Sequence, residues 1–282
     1  MYTDKVEVLV LVENTVFKPN LIAEHGVSFL VKIFCNGEEN YFLYDTGQSG
    51  DALLHNAEVL GVDFTKLSAI IISHGHYDHT GGLLKLLDHV SMKIPVIIHP
   101  HAFHPKYKVG KAFRFIGNSF SRRDLEAKTT LVSSISPVKI LDYAWTSGEV
   151  ERVTDFEKTP ESFYVVKNNV FQADDLIDDL SLIIRHRKGL IILTGCGHAG
   201  IINILYHARK VMKEEKIYAI LGGFHLVSAN SDVINKTTKH LKSFNPNVIA
   251  PCHCTGLKAK MAIAKEMKKS FISVSVGEKI VL

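Results

Sequence analysis

The sequence predicts an α/β protein in which two sheets pack face to face and helices cover the outside. Each half of the chain opens with a strand-rich stretch and continues as strand–polar loop–helix units. Chemistry-bearing residues gather where strands end, the edge at which layered α/β proteins collect ligands. No period of about 20–50 residues recurs, which excludes a solenoid or repeat array.

Val6 to Val12 is β-rich and weakly alternating, a buried strand that stops at Glu13-Asn14. Phe29 to Cys35 and Tyr41 to Tyr44 form a hairpin about the Asn36-Gly37 turn signal, and the second strand runs into Asp45-Thr46-Gly47. Asp51 to Leu60 carries apolar residues at helical spacing and is stopped by Gly61. Ala69 to Ser73 is a strand, Thr80 to Leu87 a helix and Val96 to His99 a further strand. From about residue 100 to 169 periodicity weakens, with short strands at Thr130 to Ile135 and Ser162 to Val166. A segment of that length with little pattern reads as a lid or binding insertion, or else as a solvated face with peripheral hairpins.

Regularity returns with Ser181 to His186 and Leu190 to Thr194, paired about Lys188-Gly189. A helix follows over Ile201 to Val211, a strand over Tyr218 to Leu221, a helix over Asp232 to Phe244 and a strand over Val248 to Ala250. A last helix covers Leu257 to Lys268, and strands at Phe271 to Val276 and Lys279 to Leu282 close the chain.

The net charge of +4 comes with no long basic block, which argues against nucleic acid and suits a small anionic substrate. The N-terminal apolar run is too short for a membrane span or a signal peptide. The cysteines Cys35, Cys196, Cys252 and Cys254 show no disulfide spacing and read as reduced thiols of a cytoplasmic protein. The oligomeric state is not legible.

The stretch that organises the rest is Ile70 to Gly82, IIISHGHYDHTGG. Four potential ligands, His74, His76, Asp78 and His79, follow a buried strand, where unpaired polar groups are costly. Neutral imidazoles and a carboxylate suit zinc, iron or manganese, and the order His-x-His-x-Asp-His lets its two pairs face adjacent ions. A histidine-rich surface turn is the plainer alternative, and the flanking strand and glycines count against it. Four other strand ends bring Asp45, Cys196 with His198, His225 and His253. Asp45 is either a turn residue or an acceptor that orients a ligand histidine through its other nitrogen. His198 opens a helix between glycines, as a cap or as a ligand. His253 reads as a ligand with Cys252 and Cys254 as small buried neighbours. His225 suits metal, substrate phosphate or a strand cap equally.

These motifs resemble the metallo-β-lactamase fold superfamily, whose His-x-His-x-Asp-His signature is met by His74, His76, Asp78 and His79, with Asp45 matching the Asp-Thr-Gly strand end before it. The stretches HG at 25–26, DTGQSG at 45–50, SHGHYDHTGG at 73–82, LTGCGHAGI at 193–201, LGGFHL at 221–226 and PCHCTG at 251–256 are similar to a narrower group. That group is the dihydropterin–ribofuranosylaminobenzene phosphate synthase-like proteins, which serve a step toward tetrahydromethanopterin. The resemblance implies an αββα four-layer sandwich over residues 1–282 as a single domain, with the insertion or lid at about residues 100–169. It implies one or two divalent ions: zinc first, with manganese, iron or magnesium as the other candidates.

His74, His76 and His198 are the expected ligands of one ion, and Asp78, His79 and His253 of the other. Asp45 and Cys196 are expected behind the ligands. The chain departs from the superfamily in one respect: Leu190 to Thr194 runs into Gly195-Cys196, where a bridging aspartate is usual. A mononuclear site, or two sites bridged by water or substrate, therefore enters consideration.

The implied activity is metal-dependent hydrolysis or group transfer on a small phosphorylated, pterin-like substrate, with Asp78 and His225 as catalytic candidates. The aromatic and basic stretch from Phe103 to Arg123 offers stacking for a flat ring and charge for phosphate. His25, Phe103, Lys106 and Arg114 are the candidate substrate contacts. Competing readings are a hydrolase on phosphodiester (nuclease-like), lactam or thioester substrates, and a non-catalytic or redox metal-binding module. The mild charge argues against a nuclease. His76, where oxygen-reducing relatives commonly carry glutamate, and the lack of a flavin domain argue against the redox module.

Overall fold

The computed structural model describes residues 1–90 and 92–282. Its first half contains strands β1 (Lys5–Val12), β2 (Ser28–Cys35), β3 (Glu38–Tyr44), β4 (Leu67–Ile71) and β5 (Val96–Ile98). Helices α1 (Asp51–Val59), α2 (Tyr77–Thr80) and α3 (Leu83–Val90) lie between them. The middle carries β6 (Lys106–Val109), β7 (Phe113–Phe115), α4 (Arg122–Lys128), β8 (Leu131–Ser133), β9 (Lys139–Leu141), β10 (Ala144–Thr146), β11 (Phe163–Lys167) and β12 (Val170–Ala173). The second half runs β13 (Ser181–His186), β14 (Gly189–Thr194), α5 (Ile201–Met212), β15 (Ile217–Gly223), α6 (Ser231–Phe244), β16 (Val248–Cys252), α7 (Leu257–Glu266) and β17 (Lys279–Val281).

A seven-stranded sheet has the order β17-β1-β2-β3-β4-β5-β8, and a six-stranded sheet the order β16-β15-β14-β13-β10-β9. The two-residue side-chain period of a strand sorts the apolar residues into layers. Val6, Val8 and Val10 of β1 share one core with Leu182, Ile184, Ile191 and Leu193 from the other sheet. Their strand neighbours Ile183, Leu190 and Ile192 turn outward onto Ile202, Leu205, Ile234 and Ile263 of the helices. On the opposite side Leu11, Leu30, Leu43 and Ile70 pack on Leu53, Leu83 and Leu86. The result is the αββα four-layer sandwich. Truncating any of these fully buried leucines or isoleucines to alanine would cost about 2–5 kcal/mol.

Turn chemistry sets the registers. Cys35 pairs with Glu38 across Asn36-Gly37, both at positive φ (52° and 83°), so the β2–β3 hairpin has the two-residue turn its sequence favours. Strands β3, β4 and β5 run parallel, as do β14, β15 and β16. Their carboxyl ends deliver the polar loops that follow to one edge of the sandwich.

Three stretches differ from expectation. Residues 80–87 are not one helix: α2 ends at Thr80 and α3 begins at Leu83. Gly81 and Gly82 separate them, and a Cβ on either would strike the carbonyls of Gln48 or Thr46, so the chain turns there against the loop after β3. Phe271 to Val276 makes only isolated bridges, Phe271 to Ile249 and Val276 to Val16. The segment crosses from the edge of one sheet to the other, so neither sheet pairs its full length. Residues 100–169 are shared out: β8 extends the first sheet, β9 and β10 the second, and β6, β7 and β11 join β12 in a separate four-stranded sheet.

Candidate metal centre

Each functional side chain stands just beyond a strand. Asp45, after β3, sits in the left-handed region at φ 60°, and His225 and His253, after β15 and β16, do so at φ 45° and 49°. Such backbone is uncommon outside glycine and concentrates at functional sites. The corners bend the chain so that side chains from separate strands converge.

The early histidines and the late ones meet. The ring of His198 lies 4.8 Å from that of His74 and 5.0 Å from that of His76, and His253 lies 5.0 Å from His79. Ligand atoms of His74, His76 and His198 form one group within 4.8 Å of each other, and those of Asp78, His79, Cys196 and His253 form another. All of these residues are buried.

Hydrogen bonds behind the rings fix which nitrogen faces inward. Asp45 Oδ2 accepts from His79 Nδ1–H at 2.7 Å and from Ser73 Oγ at 2.7 Å, while Oδ1 accepts from the Ser73 N–H. His79 Nε2 is thereby directed at Cys196 Sγ, 3.2 Å away. His253 Nδ1–H donates to Asn14 Oδ1 at 3.0 Å and its backbone N–H to Glu13 Oε1, leaving Nε2 3.4 Å from Asp78 Oδ2 and 3.3 Å from Cys196 Sγ. This is the outer support that orients metal-binding imidazoles. A Cβ on Gly195 would lie 2.1 Å from Ser73 Oγ and 2.7 Å from Asp45 Oδ2, so only glycine lets β14 end against this network.

Ionisation follows from burial and neighbours. Burial pushes His74 and His198 well below the usual histidine range, and burial with the Lys106 charge takes His76 to about 3. Burial opposes the charged form of His79 too, but the Asp78 and Asp45 carboxylates outweigh it and hold that ring at about 9. Burial likewise opposes ionised Asp78, yet His79, His25 and His253 keep it well below the ordinary carboxylate range.

The donor set fits a divalent cation. His76 Nε2 and both ring nitrogens of His198 are buried with no hydrogen-bond partner among the described residues. Leaving such groups unpaired costs about 1–3 kcal/mol each, and an ion shared among neutral imidazoles removes that cost.

The remaining candidates fall in different places. Cys196 lies among the inward-facing donor atoms rather than behind them. His225 stands beside His198, ring centroids 4.1 Å apart. His25 is half exposed, with Nε2 3.2 Å from Asp78 Oδ2. Phe103 packs into the outer core against Phe120 and does not reach the centre. Arg114 is exposed on β7. Lys106 is 1% exposed and binds Asp174 and Asp178 at 2.8 and 2.9 Å, so its charge is already matched. Asp178 in turn accepts the N–H of Gly75, between the first two histidines, which makes Lys106 a brace of the metal loop.

Several contributors escape sequence reasoning. Glu13 and Asn14 end β1 by the same strand-end logic that selects the histidines. Asp179 accepts the Ala199 N–H beside His198, and burial raises its pKa to about 7. Phe163 of β11 covers the centre, its ring 5.5 Å from His76, 5.6 Å from His198 and 5.8 Å from His225. Alongside opens a cleft of about 370 Å³ whose walls include His198, His225, Phe156, Lys158, Phe224 and Asn230.

A four-layer sandwich with two buried imidazole-rich pockets at one edge defines a metallohydrolase-type architecture, and the chain belongs to the metallo-β-lactamase superfamily, whose family model matches residues 22–205. Across 98% of this chain and 96% of the relative, it is 32% identical to the 7,8-dihydropterin-6-methyl-4-(β-D-ribofuranosyl)-aminobenzene-5′-phosphate synthase of Methanocaldococcus jannaschii. The solved structure of Tm1679, described as a metal-dependent hydrolase of the β-lactamase superfamily, superposes with a TM-score of 0.84 at 30% identity over 98% of both chains. Zinc-bound PqqB from Methylobacterium extorquens shares the fold, with a TM-score of 0.54 at 10% identity over 97% of this chain and 99% of that one. The chain is thus a metal-dependent enzyme by family, with no helix among the described residues long and apolar enough to cross a membrane.

Proposed function

We propose that this enzyme joins a small phosphorylated aromatic amine to a pterin that carries a diphosphate leaving group. The observation that carries the reading is the meeting of His198 and His253 with the His74–His79 loop beside a cleft of about 370 Å³, within the size range of small-molecule sites. The name of the M. jannaschii relative supports the substrate class. His74, His76 and His198 would hold one ion, and Asp78, His79, His253 and Cys196 a second, with zinc favoured by the thiol. A divalent ion bound there supplies a Lewis acid for phosphoryl oxygens and lowers the pKa of water.

The residues of the chain do the rest. Phe156 on the cleft wall offers a face for a flat ring, and Lys158 offers charge for phosphate. As the amine nitrogen forms its bond to the pterin methylene and the carbon–oxygen bond to diphosphate breaks, the amine proton passes to the solvent of the cleft, which His225 borders. Asp78 stays a carboxylate and holds the ring of His25, while Asn14 fixes that of His253. Within a single domain, the part of the 100–169 segment that lies outside the two main sheets acts as the lid: Phe156 to Glu161 line the cleft and Phe163 excludes water from the centre. Four buried, unbridged cysteines support a cytoplasmic setting.

Hydrolysis is the second reading, favoured by the similarity to the solved metal-dependent hydrolase. An assay of zinc- and manganese-loaded protein separates them. Coupling of a pterin methyl diphosphate to a ribosyl-aminobenzene phosphate, abolished by chelation, is expected. Turnover of phosphodiesters, lactams or thioesters without any coupling would refute the transferase reading in favour of hydrolysis.

A further inference from the structure

Next to the two imidazole-rich pockets lies another set of donors. Cys196, His225 and Cys254, from the loops after β14, β15 and β16, present ligand atoms within 4.8 Å of one another. Both thiols are buried, and neither is in a disulfide. A Cβ on Gly223 would lie 2.7 Å from Cys254 Sγ, so that glycine clears the space the thiol occupies. Cys254 Sγ–H donates to the Cys196 carbonyl at 3.3 Å, which ties the two cysteine loops together. His225 is held at positive φ, and its Nδ1 is buried with no hydrogen-bond partner among the described residues.

Two thiols and one imidazole have the composition of a soft-ion site, and they differ in kind from the all-imidazole pocket of His74, His76 and His198. Three protein ligands of the two-cysteine, one-histidine type, with a fourth direction left open, are also a catalytic zinc set. His225 and Gly197 border the cleft.

We propose that Cys196, His225 and Cys254 form a soft-ion pocket, selective for zinc-like ions and open to the cleft. This rests on the metal-dependent reading above. Cys196 belongs as well to the group with Asp78, His79 and His253, so its sulfur is the corner shared by the two pockets. On binding, each thiol gives its proton to solvent and its sulfur forms a bond to the ion, with no change of oxidation state.

Cadmium titration of the metal-stripped, reduced full-length protein tests this through the ultraviolet charge-transfer absorbance of cadmium–thiolate bonds. Wild type is expected to develop the band, and a His74→Ala/His76→Ala variant to keep it while binding fewer ions. Cys254→Ala should lose roughly half the band and one tightly held cadmium, because one of two thiolates is gone. Cys254→Ser, nearly isosteric, gives the same readout if the alanine variant does not fold. His225→Asn, which tolerates the backbone, should weaken that cadmium about tenfold or more. A folded Cys254 variant with the full band and full cadmium count overturns the proposal while leaving the imidazole pocket standing. Failure of any ion to bind either pocket overturns it together with the broader metal-dependent reading.

Discussion

Replacing Asp45 by asparagine tests the centre at its most constrained point. The side chain is fully buried and its two oxygens accept three hydrogen bonds, from Ser73 N–H, Ser73 Oγ and His79 Nδ1–H, each at 2.7 Å. Asparagine keeps the shape but offers one acceptor. If its carbonyl takes the place of Oδ1 and serves the Ser73 N–H, its amide points at His79 Nδ1. The ring must then accept there and carry its proton on Nε2, the nitrogen that faces Asp78 and Cys196. If the amide flips, it opposes the Ser73 N–H and leaves a buried donor unpaired. Loss of such an orienting partner lowers metal affinity about 10–100-fold, which is about 1.4–2.8 kcal/mol at 1.4 kcal/mol per factor of ten. Competition for zinc against a chromophoric chelator measures the change, with circular dichroism as the control for folding. A folded Asp45→Asn protein whose zinc affinity stays within about a factor of two of wild type would refute the argument that this carboxylate sets the tautomer of His79.

Three further outcomes are expected. Gly195→Ala forces a Cβ into Ser73 Oγ and Asp45 Oδ2, and should destabilise the fold by about 1–3 kcal/mol in urea melts, as overpacking does. Lys106→Met leaves Asp174 and Asp178 buried without their cation; a loss of about 3–5 kcal/mol is expected, partly recovered in a Lys106→Met/Asp178→Asn double variant by the same melts. Chelation should lower the melting temperature, because ions bound only by the folded state at a free concentration of about 100 Kd contribute about 2.7 kcal/mol; calorimetry with and without chelator, and with zinc restored, checks it.

Strand ends were the legible part of the centre. A β-branched run that breaks into His-Gly-His, Gly-Cys-Gly-His or Pro-Cys-His-Cys announces itself, and parallel connections bring such ends to one edge. The layers were legible for the same reason, since Leu190 to Thr194 reads as a continuous apolar run of the kind buried on both faces. What could not be read depends on partners remote in sequence. Lys106 looks like a phosphate contact amid other cations, and only tertiary packing supplies Asp174 and Asp178. Phe163 is one more aromatic of a short strand until β11 is laid across the centre. The alternation of Phe271, Ile272, Val274 and Val276 predicts a strand because periodicity reports burial, which holds for Val274 and Val276, but not whether a neighbouring backbone is present to pair with. Cys196 was expected behind the ligands because spacing alone does not say how deeply a thiol reaches into a pocket.

The left-handed corners at Asp45, His225 and His253 bear on how any mutational scan of this centre is to be interpreted. Alanine at these positions removes a donor atom and also asks a residue with a Cβ, and no side-chain acceptor, to hold a conformation it disfavours. Asparagine separates the two contributions, and valine or isoleucine combine them at their worst. The side chains most at ease in that conformation apart from glycine are asparagine, aspartate and histidine, and the last two are also cation binders. A bend of this kind therefore narrows the choice of residue before coordination chemistry selects among what is left.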